Sequence, residues 1–159
     1  MSRVKAEFLP PEDRAQFELQ VELPTGSSLS ATSKVAEAIA ADVRERATGV
    51  RNTFTTVSGG AQGQSNQASI QVVMTSASAR KFHQEDLMAW ARQRYGKVPD
   101  VKVTAHPINA VGGGGGFRQQ PIQFNVRGKD MDELVRVTSA LKSELSSVQG
   151  LVDLDTTYR

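Results

Sequence analysis

The feature that most constrains this chain is a unit that recurs three times. The stretch QFELQVEL, residues 16–23, alternates, with Phe17, Leu19, Val21 and Leu23 on one side, the pattern of a half-buried strand. Residues 29–47 follow with Val35, Ile39 and Val43 at helical spacing and Ala36 and Ala40 widening the stripe; Ser28 is the expected N-cap and Gly49 the C-terminal stop. VRNTFTTV, residues 50–57, is rich in β-branched residues and reads as a strand. The order then restarts. A strand at 68–75 and a helix at 83–96, carrying Leu87, Trp90, Ala91 and Tyr95, lead to a strand at 100–108. It restarts again with Ile122, Phe124 and Val126 alternating. Asp130 and Glu133 make a capping-box-like start. A stripe of Leu134, Val137, Leu141, Leu145 and Val148 runs to Gly150, and a last strand covers 151–159.

Each unit is strand–helix–strand, and the leading strands start about 53 residues apart, near Phe17, Ser69 and Ile122. Two such units interleave into βαββαβ, the ferredoxin-like split-βαβ sandwich, in which the first strand of one unit lies between the two strands of the other. The expected fold is therefore α+β. Residues 16–110 form one complete domain after a lead-in at 1–15. A Gly-rich segment at 111–120 leads to an additional half unit, βαβ, at 121–159. The expectation is a four-stranded antiparallel sheet with both helices on one face, packed through Val35, Ile39, Val43, Leu87, Trp90 and Tyr95.

Charge and composition exclude several functions. The 19 basic and 17 acidic residues nearly cancel, so no electrostatic footprint for nucleic acid exists. Without cysteine, thiolate metal sites and disulfides are impossible. No apolar run is long enough to span a membrane, and the charged first 14 residues hold no signal-peptide core; taken alone, the chain reads as cytosolic. His83, Glu85 and Asp86 sit together at a helix start, where acidic groups complement the dipole. No nucleophile–base pattern or metal-ligand spacing accompanies them. The expectation is no enzyme, no cofactor and no metal.

The order of motifs resembles resistance-nodulation-division efflux transporters. EFLPPEDRAQFELQVELPTGSSLSATSKV is similar to the segment after a mid-chain membrane helix of that family. VRNTFTTVSG, GQSNQASIQVVM, PIQFNVRGKDMDELVRVTSALKSEL and GLVDLDTTYR match later segments in order and spacing. The resemblance runs from about Lys5 to the end. It implies a periplasmic porter fragment of a Gram-negative inner-membrane transporter: the first C-terminal porter subdomain and the leading half of the second. It also implies amphiphilic small-molecule substrates, a homotrimer, a periplasmic adaptor and an outer-membrane channel as partners of the parent. Leu9 stands where the metal-exporting branch tends to carry methionine, and Met74, Met88 and Met131 lie on separate elements. The resemblance is thus to the hydrophobe/amphiphile, multidrug branch.

The resemblance assigns roles to particular residues. Glu18, Gln20 and Glu22, with His106, Ile108 and Ala110, face the substrate cleft, and Arg159 matches a drug-contacting arginine. Read from the residues alone, the glutamate row is a solvated sheet face and His106 a polar edge residue. Ser58, Gly59, Gly60, Ala61, Gln62, Gly63, Gln64, Ser65 and Asn66 occupy the switch-loop position. By composition they are a polar hairpin loop, and they lack the aromatic and basic residues often found there. Gly112, Gly113, Gly114, Gly115 and Gly116 are either a slack linker or the hinge of the cleft. Two readings compete with the transporter. One is a stand-alone ferredoxin-like small-molecule-binding or regulatory module. An RNA-binding version would need exposed aromatics on central strands, for which only Phe17 and Phe54 are available. The other is an acylphosphatase-like enzyme, whose phosphate loop is missing. The 159-residue chain alone is expected to form a homodimer through residues 121–159, because a half unit leaves a slot for a foreign strand.

Overall fold

The computed structural model describes residues 13–58, 64–108, 122, 124–148, 150–154 and 156. The chain divides into two compact units, Met1–Gly116 and Phe117–Arg159. The first holds β1 (Gln16–Glu22), α1 (Leu29–Arg46), β2 (Val50–Val57), β3 (Gln67–Met74), a 3-10 turn (Ala77–Ala79), α2 (Gln84–Tyr95) and β4 (Lys102–Pro107). The sheet order is β2-β3-β1-β4, and every neighbouring pair is antiparallel. This is the interleaved split-βαβ topology that the repeat predicts.

The period-2 pattern determines which side of the sheet is dry. Phe17, Leu19 and Val21 from β1 join Ala68, Ile70, Val72 and Met74 from β3 and Val103 and Ala105 from β4. One core encloses them with Ala36, Ile39, Ala40 and Val43 of α1 and Leu87, Met88, Ala91 and Tyr95 of α2. Both helices therefore cover the same face. The centre is Leu19 opposite Ile70, both fully buried. The stripe of α1 differs in detail from the sequence expectation. Thr32, Ala36 and Ala40 face the core while Val35 is only half-buried. Small side chains let a helix lie close to a sheet, and Thr32 can be buried because its hydroxyl donates to the Ser28 carbonyl at 3.2 Å. Trp90 is likewise half-buried, edge-on to Tyr95 at 6.0 Å.

The helix starts are set locally. The Ser28 side chain accepts from the Ala31 amide at 3.2 Å. At α2 the Asp86 carboxylate accepts from the His83 amide at 2.8 Å, and Asp13 accepts from the Gln84 amide at 3.0 Å. The His83–Glu85–Asp86 cluster is thus part of a helix start, where acidic side chains satisfy amides that have no intrahelical partner. Gly49 ends the α1 turn with φ +82°, and a Cβ there would lie 2.7 Å from Cζ of Phe82. The Gly49→Ala variant should lose about 1–3 kcal/mol of stability, from the left-handed backbone and the crowding together. Thermal unfolding of the two proteins measures it.

The second unit departs from expectation. Its helix, α3 (Met131–Ser146), forms as the stripe predicts, with the Asp130 carboxylate accepting from the amides of Asp132 and Glu133 at 2.9 and 3.1 Å. The flanking strands of the expected βαβ do not: the described residues of 122–128 and 151–156 form no strand. Strand hydrogen bonds are made to a neighbouring strand, and among the described residues of 117–159 the only regular element is α3. No residue of α3 is buried.

Candidate functional site

The face of the sheet opposite the helices carries polar side chains, because the same alternation that points Phe17, Leu19 and Val21 inward points Glu18 and Gln20 outward. The register lines these up across the strands. Glu18 stands opposite Gln71 on one side and His106 on the other, and Gln71 stands opposite Phe54. One row therefore reads Phe54, Gln71, Glu18, His106 across all four strands. The next reads Thr56, Ser69, Gln20, Thr104. Phe54 is 61 % exposed, the only aromatic among the exposed large hydrophobic residues of the first unit that are described. The His106 ring and the Thr104 hydroxyl are hydrogen-bonded at 2.9 Å, and Gln71 donates to the Gln16 side-chain oxygen at 3.3 Å. Such a face offers one negative charge, one imidazole, amides and an aromatic plate.

Glu22 does not share this exposure. It lies at the end of β1 opposite Gln67 and Lys102 and is 7 % exposed. The next residue is tied down: the Leu23 amide donates to the Asn66 carbonyl and the Asn66 side chain donates to the Leu23 carbonyl, both at 2.9 Å. Ile108 is half-buried just beyond β4. Ala110, Arg159, the glycines Gly112–Gly116 and the loop residues Gly59, Gly60, Ala61, Gln62 and Gly63 lie outside the described residues. The two ends of the loop are anchored. Ser58 donates through its amide to the Gln67 carbonyl at 2.8 Å, and Gln67 to the Gln64 carbonyl at 3.2 Å. The Ser65 hydroxyl donates to the Ser27 carbonyl at 3.0 Å.

Phe54 is the member of the face that sequence reasoning weighed only as an RNA-stacking residue. Its partners come from the β2–β3 pairing, which contains an irregularity between Val50 and Asn52. An extra residue in a strand changes which side chains face out, and a uniform alternation cannot reveal it.

The helical side carries structural chemistry instead. Asp42 of α1 accepts from Arg94 at 2.5 and 2.8 Å, from the Tyr95 hydroxyl at 2.6 Å and from Arg46 at 2.8 Å. The Arg94 fork holds the Asp42 carboxyl far below the ordinary carboxylate range. Burial, with the Asp42 bond added, pushes the Tyr95 phenol well above its own. These bonds tie α1 to α2 beside a groove of about 400 Å³ lined by Ala38, Ile39, Asp42, Arg94, Tyr95 and Val98. Met74 and Met88 are buried in the core of the first unit, and Met131 is exposed on α3. Among the described residues no three His, Asp or Glu side chains converge as metal ligands.

The first unit is thus an α+β split-βαβ sandwich with α1 and α2 on one face of the sheet and polar side chains on the other. Its family is established by sequence: the AcrB/AcrD/AcrF family model matches residues 1–159, and the chain belongs to that family of resistance-nodulation-division transporters. No curated protein matches the chain. No helix among the described residues is long and apolar enough to cross a membrane.

Proposed function

We propose that this chain is a periplasmic piece of a proton-driven multidrug efflux transporter of the hydrophobe/amphiphile branch. It contributes a wall of the substrate-entry cleft and drug pocket. Residues 16–110 are the first C-terminal porter subdomain, 111–120 the hinge, and 121–159 the leading half of the second. The row Phe54–Gln71–Glu18–His106 carries this reading. An aromatic plate beside a carboxylate, on the sheet face opposite α1 and α2, suits a flat cationic amphiphile: Phe54 takes the apolar ring system and Glu18 complements the charge. Gln20 and Thr104 extend the polar row. Residues 58–66 are the switch loop, held at its described ends by Ser58, Gln64 and Ser65. Ile108, Ala110 and Arg159 continue the cleft, and Glu22 closes its end.

In this reading the proton pathway lies in membrane helices, and the parent works as a homotrimer with a periplasmic adaptor and an outer-membrane channel. The 159-residue chain alone neither transports nor hydrolyses, and forms a homodimer through residues 121–159. The test uses the full-length transporter in cells stripped of other pumps. Glu18→Gln should lower resistance to cationic dyes about two- to fivefold while leaving neutral substrates nearly untouched, the effect of one partly exposed charge pair. Phe54→Ala should lower resistance to both classes. Unchanged resistance to every substrate in both variants, at equal expression, would exclude this face from the drug path.

A further inference from the structure

We propose that the row Phe54–Gln71–Glu18 is a two-point ruler for substrates, an inference that rests on the reading of this face as a wall of the drug path. The ruler selects monocations that carry their charge on a spacer, about 10 Å from the centre of a flat ring system. The separation follows from the sheet. Phe54 of β2 stands opposite Gln71 of β3, and Gln71 stands opposite Glu18 of β1. Two strand spacings of about 4.8 Å each therefore separate the aromatic from the carboxylate. The strands are hydrogen-bonded neighbours in one sheet. Leu19 and Ile70, next to Glu18 and Gln71 in sequence, are fully buried on the opposite side. Gln71 is itself held between the two points, its side-chain amide donating to the Gln16 side-chain oxygen at 3.3 Å. A distance set by paired backbone does not adjust to a ligand as a loop can.

The rows on either side supply no second charge or plate. One reads Asn52, Val73, Gln16 and the other Thr56, Ser69, Gln20, Thr104, and neither contains an acid or an aromatic. The next acid of β1, Glu22, is 7 % exposed and stands opposite Lys102. His106, beyond Glu18 in its own row, adds no negative charge. A second positive charge on a ligand thus meets no second carboxylate in these rows. A charge fused into the ring system fails for a different reason. Seated over Phe54, it lies about 10 Å from Glu18, farther than the screening length of about 8 Å at physiological salt. Seated over Glu18, it forgoes the contact with the Phe54 ring, which is 61 % exposed. A spacer lets one molecule meet both points.

The 159-residue chain itself is the test material. The probes are naphthalenes joined to a trimethylammonium group through rigid saturated spacers of three lengths. The middle length sets the nitrogen about 10 Å from the ring centre, and its tert-butyl analogue has the same shape without the charge. Amide NMR titrations read affinity and place together. The middle cation should bind about two- to fivefold tighter than the short, long and neutral compounds, the effect of one partly exposed charge pair. It should shift amides of β1 around Glu18 and of β2 around Phe54 in the same titration. Glu18→Gln should bring the middle cation down to its neutral analogue, and Phe54→Leu should remove its advantage over the short one. The three lengths measured on the unmodified chain carry the test without either variant. Equal affinity for all three cations, with the shifts still on β1 and β2, overturns the ruler while the face stands as a ligand wall. Shifts confined to other parts of the chain, or none with any probe, overturn both.

Discussion

Replacing Ile70 with alanine is expected to cost the first unit about 3–5 kcal/mol. Ile70 is fully buried on a strand with neighbours on both sides: Leu19 of β1 stands opposite it in one direction and Thr55 of β2 in the other. Both helices close over the same core, so the surroundings have little room to collapse into the vacated volume. Such a loss is a large fraction of the stability of a domain this size. The Leu19→Ala variant should behave alike, and the double variant should lose less than the sum, because the two residues share one cavity. The chain has one tryptophan, Trp90, half-buried against this core. Urea unfolding followed by its fluorescence therefore reports on the first unit alone. A loss below about 1 kcal/mol for Ile70→Ala would contradict the core as described.

Arg80→Ala should be the second most damaging change, at about 3 kcal/mol. The Arg80 side chain is 2 % exposed and pairs with Asp13. It also donates to the carbonyls of Thr75, at 3.1 Å, and Phe82, and its guanidinium lies over the Phe82 ring at 5.5 Å. Truncation leaves two carbonyls and a carboxylate without their donor. Asp13 adds a pH signature. The hydrogen bond from Arg80, helped by the amides of Gln84 and Ala15, lowers its pKa from 3.8 to about 2. The folded value lies below the unfolded one. The stabilisation is therefore complete above about pH 4 and lost as pH falls towards 2. It amounts to about 1–2 kcal/mol after allowance for solvent at the partly exposed carboxylate. Denaturant titrations from pH 7 to pH 2 should show that loss in the parent protein and a shallower one in Arg80→Ala. Parallel curves would sink this assignment.

The sandwich was legible because its code is periodic. Phe17, Leu19 and Val21 at period two, and Ile39 and Val43 at helical spacing, specify which sides are dry whatever the partner, and three repeats specify how partners interleave. The candidate face was legible only in part. Glu18 and Gln20 follow from the same alternation, and His106 from that of β4. Glu22 does not, because its burial comes from the end of the sheet, where Leu23 and Asn66 cross over. Phe54 joins the face through the β2–β3 register. The Asp13–Arg80 pair joins residues 67 positions apart, a separation at which no local pattern operates.

The sequence by itself determined the helices, since their hydrogen bonds close within four residues and their caps are the neighbouring Ser28, Asp86 and Asp130. It also determined the family, through the order of its motifs. Only the tertiary structure decided the register of the sheet, the row that sets Phe54 beside Gln71, Glu18 and His106, and the absence of strands in the described parts of the third unit. A strand's hydrogen bonds belong to whichever segment lies next to it. The pattern at Ile122, Phe124 and Val126 is as regular as that of β1, yet the described residues of 122–128 form no strand.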